Sequence, residues 1–384
     1  MSSSDNSEFV NPEARKTFRA TMCFQKSDFI PSFEALGFWD DTVKRWHAEG
    51  LPADQTPWEY FRIDRLMDNT GGFENPSALK RLIDLVFQIP YWPLFETKVI
   101  EEKDDYLIKQ DEDGVIKKVM KHGVSMPQFL KFPVETRLDW EKIKERLNPE
   151  SEERYGAIKA MASDLRKRRH ILRFGICGSY GFQRNLFGEE KLAYLFYDAP
   201  GLLHDVMKHW LCFQTAVADR ICPLVDFDYV FLWEDMAFKT APFISPDIFR
   251  EFMFPYLKAF IGHVRARHHL DLFMVDSDGN NLALLPLLVE AGINVFMPCE
   301  IAAGMEPVSV REKFPNLALL GGIDKRALLK GKKEIEAEII KKASLLPAGQ
   351  GYIPSVDHAV PPDVSFENFC YYTKFLRKIT GGVF

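Results

Sequence analysis

The sequence lacks several features that would place it quickly in a class. Its six cysteines are widely spaced, with no CxxC pair and no signal peptide ahead of them, which predicts free thiols and a cytoplasmic location. Apolar runs are interrupted well before the roughly 18 to 20 residues that cross a bilayer. A net charge of −6 with scattered Lys and Arg argues against a nucleic-acid surface. We therefore expect a small-molecule or protein partner, and neither a membrane nor a nucleic acid.

Several catalytic motifs are also missing. No GxGxxG fingerprint or Walker P-loop follows an early strand, which disfavours nucleotide binding, and no GxSxG elbow indicates a serine hydrolase. The histidine-rich segment HVRARHH, with His263, His268 and His269, contains no HExxH arrangement. We interpret that segment as the solvated basic end of a helix.

What is present is ordinary globular composition, with 46% apolar and 27% charged residues. A chain of 384 residues fits one barrel domain spanning 1–384. Residues 1–90 predict an N-terminal helical extension, including a helix in PSALKRLIDLVFQ (76–88). Residues 95–122 alternate apolar and charged positions around turn signals and predict a small inserted β-meander. Amphipathic helices then follow up to residue 169.

From residue 170 onward short apolar strands end in polar or Gly-rich clusters, and helical segments follow each strand. Ser245 and Pro246 mark one helix start, and Gly292 marks a helix end. This repeated unit predicts an α/β fold, either an open doubly wound sheet or a (β/α)8 TIM barrel, and the missing nucleotide fingerprint favours the barrel. The predicted strands lie at 171–181, 228–235, 271–280, 294–300, 317–324 and 351–358.

Ligands of parallel α/β folds bind where the carboxyl ends of the strands meet, so the residues at those ends are the candidate site. Catalytic roles are predicted for Glu234, Asp276, Asp278 and His358. Substrate contacts are predicted for Cys177, Tyr180, Trp233 and Tyr352. A metal ion there would draw on Asp278, Cys299, Glu300 and His358.

Each of these candidates has a structural alternative. Asp276 or Asp278 could cap the following helix, and Cys299 could be a small buried apolar residue. Asp357 could simply orient a structural His358. Neighbouring Glu234 and Asp235 point to opposite sides of a strand, so one is expected in the site and the other in a salt bridge, with Glu234 favoured for the site.

The segments WEDMAFKTAPFISPDIFREFMFPYLK, VDSDGNNLALLPLLVEAGINVFMPCE, LALLGGIDK and GYIPSVDHAVPPDVSFENFCYY resemble the uroporphyrinogen decarboxylase superfamily, which also contains corrinoid-dependent methyltransferases. The resemblance covers roughly residues 170–384 and implies a TIM barrel. The Arg-rich RQAGRY-like segment of true uroporphyrinogen decarboxylases has no equivalent here. The His-x-Cys zinc pair of related methyl-transfer enzymes is replaced by Asp276, Ser277 and Asp278, and their later Cys is missing near 355–358.

The resemblance, together with the missing Arg segment, implies a methyltransferase of a corrinoid-dependent system similar to the O-demethylases. Such an enzyme moves a methyl group between a small methoxylated or methylated compound and the cobalamin-type corrinoid of a partner protein. Zinc held by carboxylate and His ligands is an accompanying expectation, as is a homodimer. The alternatives are a cofactor-independent decarboxylase of an aromatic or tetrapyrrole acid, and a barrel that binds a flat ligand without turnover.

Overall fold

The computed structural model describes residues 13–64, 90–121, 127–168, 170–347 and 349–381. The helix predicted at 76–88 lies outside these ranges. Within them, no helix combines the length and apolar character needed to cross a bilayer. All six cysteines lie in described residues and all are free thiols, as the sequence predicted.

The N-terminal part is helical, and a small antiparallel sheet follows it. The helices are α1 (Ala14–Met22), α2 (Asp40–Glu49) and α3 (Pro57–Tyr60). The sheet has the order β1-β2-β3-β4, with β1 (Lys98–Glu102), β2 (Tyr106–Gln110), β3 (Ile116–Met120) and β4 (Gln128–Lys131). The sequence analysis anticipated the strands within 95–122 but not β4. Next come α4 (Arg137–Arg146), a 3-10 turn (Glu152–Tyr155) and α5 (Gly156–Lys167).

The rest of the chain repeats strand and helix. The strands are β5 (Arg173–Cys177), β6 (Tyr229–Trp233), β7 (Phe273–Asp276), β8 (Val295–Met297), β9 (Ala318–Ile323) and β10 (Tyr352–Val356). The helices are α6 (Ser179–Phe187), α7 (Glu189–Asp198), α8 (Pro200–Ile221), α9 (Pro246–Phe252), α10 (Phe254–His268), α11 (Leu285–Ala291), α12 (Pro307–Lys313), α13 (Lys325–Leu328), α14 (Lys332–Ile340) and α15 (Phe366–Thr380). The predicted end signals are confirmed, because Ser245 Oγ caps α9 and Gly292 ends α11 in the left-handed conformation.

Strands β5 to β10 form one parallel sheet in which each strand pairs with the next along the chain. Sequential parallel order with intervening helices is the order of a TIM barrel and not of a doubly wound sheet, whose strand order reverses. The predicted α/β, TIM-barrel-like class is therefore confirmed. The eight-stranded closure is not seen in the described ranges, where six strands pair and β5 and β10 are the edges.

Both faces of this sheet are buried, and side chains alternate between them. The outer face packs under the helices and includes Val230, Leu232 and Val275. The opposite face carries the inner cluster, which α1 and the segment after it complete: Phe18, Met22, Ile30, Phe33, Ile171, Tyr229, Phe231, Leu272, Met274, Val295, Met297, Ala318, Leu320 and Ile353. Position along a strand therefore decides whether a side chain points into the barrel or toward the helices.

Helix α1 covers the end of the inner cluster where the strands begin. The Phe18 ring packs against Tyr229 with centroids 5.4 Å apart, and Arg15 pairs with the buried carboxylate of Asp228 at 3.0 Å, just before β6. Because this end is covered, the carboxyl ends of the strands are the side of the barrel interior that remains for a ligand.

Gly321 in β9 illustrates how tightly the sheet is packed. Its φ is +105°, and a Cβ built on it would lie 2.0 Å from the Pro298 carbonyl oxygen. We expect Gly321→Ala to lower the free energy of unfolding by about 2 to 4 kcal/mol, through backbone strain and overlap. The matched control is Gly262→Ala in α10, where a Cβ meets nothing within 4 Å. This variant should raise the free energy of unfolding by about 0.5 to 1 kcal/mol. Urea denaturation measures both changes. Equal stability of the two variants would contradict this account.

Candidate active site at the carboxyl ends of the strands

Asp276 is the last residue of β7 and lies two positions after Met274, on the inner side of the sheet. Its side chain is buried, and no described residue donates a hydrogen bond to its carboxylate. Burial raises the pKa of Asp276 to about 8, with a further increase from the charges of Asp278 and Asp235. Arg173 and His358 offset this only in part. At neutral pH Asp276 is therefore a neutral acid that holds a proton.

Asp278 and His358 form a pair beside it. His358 Nε2 lies 3.6 Å from Asp278 Oδ2, and about a third of each side chain is exposed. The Asp278 carboxylate raises the pKa of His358, because it stabilises the protonated ring. Asp278 Oδ1 is buried without a hydrogen-bond partner among the described residues, so it is available to a ligand. We call Asp276, Asp278 and His358 the acid–histidine cluster.

The loop after β7 is held by its own side chains. Ser277 Oγ donates to Asn281 Oδ1 at 2.9 Å and accepts from the Met236 backbone at 3.1 Å. Asn281 Nδ2 donates to the carbonyl oxygens of residues 277, 278 and 279. Helix α11 begins only at Leu285 and has no side-chain cap. Neither Asp276 nor Asp278 is therefore a capping residue, and both carboxylates remain for chemistry.

Exposed aromatic rings lie on segments next to the cluster. The Trp39 ring stacks on His358, with centroids 6.5 Å apart and an interplanar angle of 15°. Phe238 and Phe243, in the loop after β6, are 47% and 41% exposed and pack together at 5.5 Å. That loop lies on the loop after β7, since the Asn280 backbone donates to the Phe238 carbonyl. Exposed rings are therefore carried by the segment before α2 and by the loop after β6, which contact His358 and the loop after β7 respectively.

The charges around the cluster are mostly negative. Asp235 is held by a salt bridge from Arg184, which also pairs with Glu189. Glu300 accepts a hydrogen bond from the Gly279 backbone at 3.1 Å and lies 3.9 Å from Lys325. Arg184 and Lys325 are therefore already balanced by carboxylates of the protein.

Comparison with known proteins places this arrangement in a family. The uroporphyrinogen decarboxylase (URO-D) family model matches residues 117–379, which is more than half of the chain. The chain belongs to the URO-D family. Family membership confirms the superfamily that the strand-end motifs indicated from the sequence.

Individual relatives are distant. Chloroplastic uroporphyrinogen decarboxylase of Nicotiana tabacum is 26% identical over 262 residues, which cover 64% of this chain and 62% of that protein. The chain thus matches less than two thirds of the length of this curated relative. A solved structure of a methyltransferase from Methanosarcina mazei matches with a TM-score of 0.56 over 96% of this chain and 99% of that chain, at 14% identity. The match to the methyltransferase structure shows that the two proteins share a fold.

Glu234 was predicted to be catalytic, and the structure gives it another role. It follows Trp233 and points outward, where its fully buried carboxylate accepts from the backbone N–H groups of Ser179, Tyr180 and Gly181 and from Ser179 Oγ, at 2.6 to 3.0 Å. Glu234 therefore caps the N-terminus of α6. Gly178 leaves room for it, since a Cβ there would lie 2.3 Å from Glu234 Cδ.

Most of the predicted substrate contacts also point away from the barrel interior. Tyr352 is fully buried on the outer face, and its hydroxyl donates to the Gly321 carbonyl at 2.8 Å. Cys177 and Tyr180 are buried in the same outer cluster, where Asn185 donates to Cys177 Sγ at 3.3 Å. Trp233 is the exception, since it is partly exposed and touches the inner cluster. Of these four residues, Trp233 alone is placed to meet a ligand.

The four predicted metal ligands do not converge. No three of Asp278, Cys299, Glu300 and His358 bring ligand atoms within 4.8 Å of one another. Cys299 is fully buried in the outer cluster, and burial raises the pKa of its thiol, so it is the small buried residue of the structural alternative. Asp357 does not orient His358, because its carboxylate accepts from the backbones of Ile301 and Lys325. These residues do not fit a zinc site.

The sequence analysis missed several residues that the structure brings to the site. Trp39 and Arg173 lie far from the strand-end motifs in the chain, and Phe238 and Phe243 lie in a loop without a recognisable pattern. Arg173 opens β5 with its guanidinium 4.3 Å from the Phe231 ring, on the inner side of the sheet. A charged residue at the start of an otherwise apolar strand was the one signal available.

The Asp278–His358 pair gives a direct prediction. Replacing Asp278 by Asn should lower the pKa of His358, because the main cause of its increase is the interaction of the ring with the Asp278 carboxylate. The pair stabilises the fold most below the unfolded pKa of His, about 6.5, and this contribution is lost as pH rises through the raised folded value. A proton NMR titration of the His358 ring measures the shift. An unchanged His358 titration in the Asn variant would show that the two side chains are not coupled.

Proposed function

We propose that this protein is a methyltransferase that transfers a methyl group from a small methoxylated or methylated compound to a corrinoid carried by a partner protein. One observation carries the proposal: Asp276 is a neutral acid, with a pKa of about 8, beside the Asp278–His358 pair at the strand ends. Breaking a methyl ether requires a proton for the departing oxygen, and an acid with a pKa near the working pH supplies it efficiently.

The reduced corrinoid cobalt would supply the electron pair that takes the methyl group. As the bond between carbon and heteroatom breaks, its electron pair stays on the oxygen or nitrogen, which accepts the proton of Asp276. Asp276 is then an anion beside Asp278, and that like-charge contact favours its reprotonation. His358, about a third exposed, is placed to carry the returning proton from solvent. Trp39, Phe238 and Phe243 would contact the flat macrocycle.

The charges of the site support a neutral or cationic substrate. A tetrapyrrole carries several carboxylates, which need free cations, whereas Arg184 and Lys325 already face acidic side chains of the protein. The carboxylates of Asp278, Asp235 and Glu300 would repel such a substrate. A methyl ether or methylamine meets no such penalty. No step requires zinc, whose predicted ligands do not converge.

The test is incubation of the protein with cob(I)alamin and a panel of aryl methyl ethers and methylamines, followed by absorption spectroscopy. We expect the methylcobalamin spectrum with at least one donor, and no change when the donor is omitted. No methylation with any member of a broad panel would contradict the proposal.

The second candidate is a cofactor-independent decarboxylase, favoured by the match to the tobacco uroporphyrinogen decarboxylase. The same acid, Asp276, could protonate the carbon that loses CO2. Release of CO2 from uroporphyrinogen or an aromatic acid without any corrinoid would favour this function. Binding of these compounds without turnover of any of them would instead favour a ligand-binding barrel.

A further inference from the structure

A second group of metal-binding side chains lies in the outer layer of helices. Asp219 is near the end of α8, and His263 and His268 are in the last two turns of α10, which packs against α8. Both helices end where the chain turns into the next strand. The group therefore lies at the end of the sheet where the strands begin, opposite the acid–histidine cluster.

The three side chains converge on one atom. His263 Nε2 lies 2.8 Å and His268 Nε2 2.7 Å from the same oxygen, Asp219 Oδ1. Their three ligand atoms all lie within 4.8 Å of one another. Among the described residues, no other group of three or more His, Cys, Asp or Glu side chains meets this condition. About 30% of the His263 and Asp219 side chains is exposed, so an ion can enter, while 7% of the His268 side chain is exposed.

We propose that Asp219, His263 and His268 bind a divalent transition-metal ion of the Zn²⁺ type, which links α8 to α10. Two imidazole nitrogens and one carboxylate oxygen are the donor set of many three-ligand zinc sites, with bonds of about 2.0 to 2.2 Å and water in the fourth position. Tetrahedral bonds of that length place the ligand atoms about 3.3 Å apart. The two oxygen–nitrogen distances therefore need to lengthen by only about half an ångström from the hydrogen-bonded form.

The neighbouring residues define the coordination. Cys222, one turn after Asp219, is not part of the group whose ligand atoms all lie within 4.8 Å of one another. Arg267 Nε lies 3.2 Å from Asp219 Oδ1 with a side chain that is 65% exposed. Arg267 thus competes with a metal ion for the carboxylate but is free to move aside. Removing Arg267 should therefore tighten metal binding if the three side chains form a metal site. It should have no such effect if they form only a hydrogen-bonded cluster.

The experiment titrates Zn²⁺ into chelator-stripped full-length protein in competition with a chromophoric chelator, and measures thermal unfolding with and without Zn²⁺. We expect Zn²⁺ to bind the wild type and raise its Tm. His263→Gln and Asp219→Asn should each weaken Zn²⁺ binding by at least about tenfold and abolish the rise in Tm. Arg267→Leu should tighten binding, because it removes the competing cation.

Two controls identify the site. His269→Asn changes an exposed neighbouring histidine whose left-handed backbone Asn tolerates, and it should bind Zn²⁺ like the wild type. Asp278→Asn should do the same, which excludes binding at the acid–histidine cluster. If the wild type binds no Zn²⁺, or if His263→Gln binds as tightly as His269→Asn, the proposal is wrong. His263 is partly exposed, so its variant tests the proposal even if a His268 variant does not fold.

Discussion

Replacing Asp276 by Asn should lower the kcat of the proposed methyl transfer by about 100- to 10,000-fold, the usual loss when a general acid is removed. Asn keeps the size of the side chain, but its amide N–H is far too weak an acid to protonate the leaving heteroatom. The control is Asp271→Asn, which changes an exposed carboxylate before the same strand and should keep full activity.

The pH dependence follows from the same carboxyl group. Wild-type activity should fall as pH rises through about 8, because the protonated form of Asp276 is then lost. The folded pKa lies above the unfolded value of about 3.9, so the stability contributed by Asp276 is full below pH about 4 and declines up to pH about 8. The Asn variant lacks this decline and should be at least as stable at neutral pH. If Asp276→Asn has the kcat of the wild type and the same fall of activity at alkaline pH, Asp276 is not part of the mechanism.

Replacing Glu234 by Ala should lower the free energy of unfolding by about 3 to 5 kcal/mol, because three buried N–H groups and one hydroxyl lose their acceptor. Burial raises the pKa of Glu234, while the four donated hydrogen bonds favour its ionised form. Urea denaturation measures the loss, and Glu251→Gln on the exposed side of α9 is the control that should change little.

Glu234 and Asp276 thus give opposite results. The first variant loses stability, and any loss of activity should follow the unfolded fraction. The second loses activity while it remains folded. A Glu234 variant that is fully stable but inactive would return Glu234 to the predicted catalytic role.

Much of the fold could be predicted because each element marks its own ends. Ser245 with Pro246 starts a helix, Gly292 ends one, and buried apolar strands stop at polar residues, so the repeated unit is visible without contacts. The placement of Asp276, Asp278 and His358 at strand ends follows from the same pattern. The helix predicted at 76–88 lies outside the described ranges and stays a prediction. The corrinoid partner, the homodimer and the cytoplasmic location also stay predictions.

The face on which each strand-end side chain lies was decided only by tertiary structure. Strands of a parallel sheet are apolar on both faces, so the sequence shows no alternation that would distinguish inward from outward positions. Glu234 and Tyr352 were therefore placed in the site although they point toward the helices, and Cys299 was taken for a ligand although it is buried among apolar side chains.

The sequence pattern also could not show which distant segments contact one another. Trp39 stacks on His358, and Asp219 contacts two histidines of α10, although each contact joins segments that are far apart in the chain. The sequence by itself determined the α/β class, the strand ends and the acids that follow them, because those depend on local patterns. Which acid keeps its proton depends on burial and neighbouring charge, and these exist only in the folded chain.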